Sequence, residues 1–100
     1  MKRLLIGVVV ALTLSGQAYA ESLTPMDYCE MVFKTAETTM SARQEGVSLA
    51  ELFPKTKSEL GQEMLLNAYS EPQYYTEEHK YDAEREFANR YYLDCLINYR

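Results

Sequence analysis

The residues with the greatest potential for chemistry are grouped around His79, the only histidine in the chain. Asp82 and Glu86 follow it at spacings of three and seven, so all three side chains share one helix face. Such a set could hold a divalent cation, but zinc sites draw most of their ligands from Cys and His, and both cysteines have another predicted role. A solvated helix face explains the pattern better, so we predict no metal ligands and no cofactor.

No catalytic set accompanies this histidine. Nucleophilic catalysis needs a nucleophile beside a base that a third group orients, and His79 has no serine near it in the sequence. The fifteen acidic residues make many accidental carboxylate pairs, so pairing alone does not indicate acid–base catalysis. The sequence therefore predicts a protein that is not an enzyme.

The first twenty residues have the pattern of a secretory signal peptide. Lys2 and Arg3 are followed by an uncharged apolar run over 4–14 and by Ala18-Tyr19-Ala20, a small-x-small cleavage pattern. An uncleaved N-terminal anchor is the alternative, but the apolar run is short for a membrane span. We expect residues 1–20 to be removed, and residues 21–100 to be one domain in the periplasm or outside the cell, with no membrane insertion.

The remaining domain is acidic. Without Lys2 and Arg3 it has eight Lys and Arg residues against fifteen Asp and Glu, a formal charge of −7. Nucleic-acid binding needs clustered basic residues that neutralise phosphates, and attraction to anionic lipids needs the same. We therefore expect neither nucleic acid nor membrane as a partner.

Cys29 and Cys95 are the two cysteines, near the two ends of the predicted domain. A secreted chain enters an oxidising compartment, where an even pair of cysteines usually forms a disulfide. Functional thiols are the alternative, but neither cysteine belongs to a CxxC motif or lies beside a cationic cluster. The sequence predicts a structural disulfide.

Helix signals dominate the domain, and strand signals are scarce. Apolar residues recur at helical spacing, and Gly46, Pro54 and Pro72 mark helix ends. Four helix starts are indicated by capping residues: Thr24 with Pro25, Ser48 with Glu51, Thr56 with Glu59, and Thr76 with Glu77 and Glu78. We predict an all-α bundle of two long and two short helices, in which the first and last helices are antiparallel and linked by the disulfide.

Arg43 follows Ala36 and Met40 on the first helix, on or beside its apolar face. If the two cysteines are level, Arg43 lies about 21 Å from them, which reaches the region of Glu84 on the last helix. One hypothesis is an ion pair between Arg43 and Glu84. The alternative, which we favour, is that Arg43 caps the last carbonyl groups of its own helix.

Four residues are candidates for an interaction surface. Tyr74 and Tyr75 follow Pro72 between the last two helices; they pack a corner, the interpretation we favour, or they contact a partner. Leu93 and Ile97 are apolar but lie where the polar stripe of the last helix would continue. Either the short second helix covers them, which we expect, or they form an exposed patch that meets a partner or a second copy.

An Ala-Arg-Gln-x-Gly-x-Ser turn and an Ala-Tyr-x-x-Pro segment lie between the two cysteines. The residues of this pattern are Cys29, Ala42, Arg43, Gln44, Gly46, Ser48, Ala68, Tyr69, Pro72 and Cys95. The pattern resembles that of small secreted proteins of proteobacteria and their phages. The resemblance implies a secreted helical protein and no particular reaction.

These observations favour a non-enzymatic periplasmic protein that binds another protein as an inhibitor, immunity factor or accessory subunit. The alternative is a periplasmic acid-stress chaperone, because carboxylates that protonate in acid would weaken ion pairs and loosen a bundle. An acidic cation-binding protein is a third possibility. The partner is an unidentified protein, and a homodimer is compatible with the sequence.

Overall fold

The structure, a computed structural model, describes residues 24–99. The predicted signal peptide, residues 1–20, lies outside this range and stays a prediction. The described chain forms α1 (Pro25–Gln44), α2 (Leu49–Leu52) with a following 3-10 turn (Phe53–Lys55), α3 (Glu59–Tyr69) and α4 (Glu77–Tyr99). The prediction of an all-α bundle with two long and two short helices is confirmed.

Thr24 caps the start of α1, as predicted. Its hydroxyl accepts a hydrogen bond from the Asp27 backbone N–H at 3.1 Å, and the Asp27 carboxylate accepts one from the Thr24 N–H. This capping box satisfies two N–H groups that have no partner within the helix.

At the other end of α1, Gly46 has a φ of +85°, a conformation that L side chains rarely adopt. The N–H of Gly46 donates to the Arg43 carbonyl and that of Val47 to the Ala42 carbonyl. These two bonds form a Schellman motif, which ends the helix at its predicted stop.

The start of α3 differs from the prediction by two residues. Ser58, not Thr56, caps this helix, and its Oγ accepts from the Gly61 N–H at 3.0 Å. The Thr56 hydroxyl instead donates to the Leu52 carbonyl at 3.0 Å, because the chain there is still completing the turn that follows α2.

The two long helices form the body of the bundle. They pack antiparallel along most of their length, and α3 packs against α1. Near the disulfide, residues of α1 lie level with residues of α4. The ring centres of Tyr28 and Tyr99 are 5.1 Å apart, and those of Phe33 and Tyr92 are 5.6 Å apart. The buried core consists of Cys29, Val32, Ala36, Met40, Met64, Leu65, Ala68, Ala83, Phe87, Ala88 and Cys95.

Cys29 and Cys95 form the predicted disulfide, with Cα atoms 5.6 Å apart across a sequence separation of 66 residues. The bond joins the start of α1 to the end of α4 and encloses almost the whole described chain. Within residues 24–99, every helix is too short or too polar to cross a membrane.

Candidate functional site

The end of the bundle opposite the disulfide carries the most elaborate polar arrangement in the described chain. Residues 71–75, which we call the strap, cross this end between α3 and α4. Side chains from the end of α1 hold successive backbone groups of the strap, and Arg90 on α4 forms an ion pair with Glu71. The strap is thereby fixed from both long helices.

Gln44 is the centre of this arrangement. Its side chain is completely buried, and it is the only buried polar or charged residue among residues 24–99. Its Nε2 donates to the Pro72 carbonyl at 3.0 Å, and its Oε1 accepts from the Tyr74 N–H at 2.8 Å. A buried amide lowers stability unless its donors and acceptors find partners, so the strap and Gln44 depend on each other.

Arg43 makes neither of the contacts predicted for it. Its Nε donates to the backbone carbonyl of Glu71 at 2.9 Å, and its guanidinium lies 5.4 Å from the centre of the Tyr69 ring. The predicted Arg43–Glu84 ion pair is wrong, and so is the predicted capping of α1 by this side chain. The Arg43 side chain points towards α3 and the strap because both of its partners, the Tyr69 ring and the Glu71 carbonyl, lie there.

Two further contacts join the end of α1 to this region. The Gln73 Nε2 donates to the Gln44 backbone carbonyl at 3.0 Å, and the Tyr69 hydroxyl donates to the Val47 carbonyl at 2.6 Å. A Cβ on Gly46 would lie 3.4 Å from the Gln73 Nε2. The Arg-Gln-x-Gly and Tyr-x-x-Pro segments, which are distant in the sequence, thus meet as one cluster.

The fixed backbone presents two tyrosines differently. Tyr74 is 36% exposed, and its ring centre lies 6.0 Å from that of His79. Tyr75 is 98% exposed. Tyr74 therefore packs beside the first turn of α4, whereas the side chain of Tyr75 is surrounded by solvent. Contact of either tyrosine with a partner stays a prediction.

Leu93 and Ile97, the other two candidates, are exposed at 60% and 55%. The expectation that α2 covers them is wrong, because both remain exposed. They lie two residues before and two residues after Cys95, on the side of α4 that faces away from that cysteine. From the start of α4 to Leu93 is roughly 24 Å along the helix axis. The four candidates therefore form two separate surfaces.

His79, Asp82 and Glu86 are exposed on α4. Across residues 24–99, no group of three or more His, Cys, Asp or Glu side chains is placed to hold a metal ion. His79 instead packs beside Tyr74. Its backbone N–H donates to the Thr76 hydroxyl at 3.1 Å, so Thr76 caps α4 as predicted.

Glu84 lies in acidic surroundings where α1 and α4 meet. Partial burial raises its pKa above the usual value, a hydrogen bond from Ser41 works in the opposite direction, and the neighbouring charges of Glu37, Glu45 and Glu77 raise it further. A carboxyl whose pKa is raised by folding destabilises the fold when it is charged and ceases to do so once it is protonated.

We therefore expect the bundle to gain stability from Glu84 as the pH falls from neutral through its raised pKa. Glu84→Gln should raise the free energy of unfolding at pH 7 by a few tenths of a kcal/mol, a small effect because the side chain is partly hydrated. It should also remove this contribution to the pH dependence. Urea unfolding at pH 7 and at mildly acid pH measures both, with the exposed Glu86→Gln as control; equal pH dependence in wild type and Glu84→Gln contradicts the prediction.

Comparison with known proteins finds no matching family model, no matching curated protein and no matching solved structure. The site must therefore be interpreted from its own geometry. That geometry is a short backbone segment fixed by buried hydrogen bonds, with one aromatic side chain projecting from it.

Proposed function

We propose that the mature chain is a secreted, non-enzymatic protein that binds another protein through the strap, as an inhibitor, immunity factor or accessory subunit. The observation that carries the proposal is Tyr75, which is 98% exposed on a backbone that the fully buried Gln44 fixes. Tyrosine is enriched among the residues that dominate binding energy at protein interfaces.

The fixed backbone supports the proposal energetically. A loop that orders only on binding loses conformational entropy at that moment, whereas a preorganised loop does not. Hydrogen bonds from Arg43 and Gln44 hold the strap before any partner arrives. If the strap served only as a corner between α3 and α4, an exposed aromatic ring at its end would have no role in the fold.

Secretion to the periplasm is part of this proposal. The leader pattern in residues 1–20 indicates export, and the Cys29–Cys95 disulfide fits an oxidising compartment. The acidic composition supports a partner with a basic surface, since complementary charge accelerates association.

The acid-chaperone alternative receives less support. It depends on ion pairs that acid would break, and within residues 24–99 the one ion pair is Arg90–Glu71, which is partly exposed on both sides. Exposed pairs contribute little to stability. Glu84 acts in the opposite sense, because its protonation favours the folded state.

The test is a pull-down from periplasmic extract with the oxidised mature chain as bait, at neutral and at acid pH. We expect one stoichiometric partner at neutral pH. Tyr75→Ala should weaken that complex about 30-fold or more, the effect of losing a dominant interface tyrosine, while the melting temperature stays unchanged.

Tyr81→Ala is the matched control, because Tyr81 is also an exposed tyrosine but lies on α4 beyond the strap. Retention of the partner by Tyr75→Ala bait contradicts the proposed surface. Many captured proteins at acid pH alone would favour the chaperone instead.

A further inference from the structure

Within residues 24–99, the pair formed by α1 and α4 is covered on one side only. On the side that α3 borders, Tyr28 and Val32 of α1 line the clefts together with Leu60 of α3. A separate depression of about 350 Å³ is lined by residues that come from α1 and α4 alone: Glu30, Phe33, Lys34, Asn89 and Tyr92. We call this the open face.

The floor of the open face is aromatic. The rings of Phe33 and Tyr92 meet edge to face with centres 5.6 Å apart, and both side chains are half-buried. Leu93, 60% exposed, lies one turn from Asn89 on α4 and extends this apolar surface at its edge. Aromatic residues at the centre of a patch with polar residues around it are typical of protein interfaces.

The rim of the open face carries one acid and one base on the same helix face. Glu30 and Lys34 are four residues apart on α1, and both are exposed. Neither has an oppositely charged group within 4.0 Å in the described chain, where Arg90–Glu71 is the one ion pair. The rim therefore presents both charges to whatever covers the face.

We propose that the open face binds a second copy of this chain about a two-fold axis. A two-fold interface requires a surface that is complementary to itself. If the axis crosses α1 midway between Glu30 and Lys34, the two α1 helices run antiparallel, and each Glu30 lies opposite Lys34 of the second copy. One acid and one base thereby form two identical interchain ion pairs.

The same axis also matches the aromatic floor. Midway between Glu30 and Lys34 is the level of Val32, three residues from Cys29; because the helices are antiparallel and Cys29 is level with Cys95, this is the level of Tyr92. The axis therefore passes beside Tyr92, so the Tyr92 and Phe33 rings of both copies pack at the centre. This inference is independent of the role proposed for Tyr75, which lies at the other end of α4.

Sedimentation equilibrium of the oxidised mature chain from about 1 µM to about 1 mM, a range that covers weak and moderate dimers, tests the inference. We expect wild type to form a dimer. Lys34→Glu and Glu30→Lys should each weaken it at least tenfold, because each places like charges opposite one another twice. The double variant Glu30→Lys/Lys34→Glu should dimerise as wild type does.

Mixing the two single variants gives the most specific test of the proposed pairing. The Glu30→Lys chain has two bases on its rim and the Lys34→Glu chain two acids, so a one-to-one mixture should recover the dimer that each lacks alone. Lys57→Glu, an exposed charge change outside the open face, should leave the dimer unchanged. A monomeric wild type over the whole range, or single variants that dimerise as wild type does, would overturn the inference.

Discussion

Replacing both cysteines in Cys29→Ala/Cys95→Ala should lower the free energy of unfolding by about 4 kcal/mol, the value expected in the chain-entropy model for a cross-link of this span. The bond joins residues separated by 66 positions, so its removal releases most of the chain in the unfolded state. The core that remains is small, and its largest fully buried apolar side chains are Phe87, Met40 and Met64. A loss of this size is a large part of the stability of a small domain.

Urea unfolding followed by circular dichroism measures this loss, with oxidised wild type as reference. Wild type reduced by a phosphine should lose a similar amount of stability, which separates the effect of the bond from that of the two substitutions. A difference below about 1 kcal/mol would mean that the helix packing holds the bundle without its cross-link.

Gln44→Glu should cost about 3 kcal/mol or more at pH 7, the second of the two largest effects that we expect. The substitution conserves shape, but it replaces the donor to the Pro72 carbonyl by a second acceptor and buries a charge. Burial raises the pKa of such a carboxyl. As the pH falls through that value, the protonated group can donate to Pro72 again, and part of the lost stability should return.

The measurement is the free energy of unfolding of this variant at pH 7 and at mildly acid pH, relative to wild type at the same pH. Gln73→Glu is the matched control, because Gln73 is exposed and its side chain donates a single hydrogen bond, to the backbone carbonyl of Gln44. A cost for Gln44→Glu that equals the control's, or that does not fall in acid, would show that Gln44 does not support the strap.

Much of the architecture could be predicted from local signals. Thr24, Gly46 and Thr76 act where the sequence indicates, because capping depends on groups within one or two turns. The disulfide was predicted from two cysteines and an expected export to an oxidising compartment, and the expected antiparallel packing of the long helices agreed with it. The start of α3 was misplaced by two residues because Thr56 and Ser58 are both good caps, and the preceding turn decides between them.

The contacts of the strap were harder to predict. Gln44 follows Met40 by four residues, so its place on the buried face of α1 could have been inferred from spacing. Its partners could not, because the Pro72 carbonyl and the Tyr74 N–H are backbone groups that every residue carries. The Arg43–Glu84 hypothesis failed for the same reason, since it considered charged side chains as partners and the actual partner is a carbonyl.

The disulfide also changes what a protease can do to this protein. Any single cut between Cys29 and Cys95, including a cut at the exposed Tyr75, leaves two fragments that remain covalently joined. The hydrogen bonds from the Gln44 side chain to the Pro72 carbonyl and from the His79 N–H to the Thr76 hydroxyl each lie within one fragment, so a cut at Tyr75 breaks neither of them. We therefore expect a chain cut once at Tyr75 to keep the fold of the bundle.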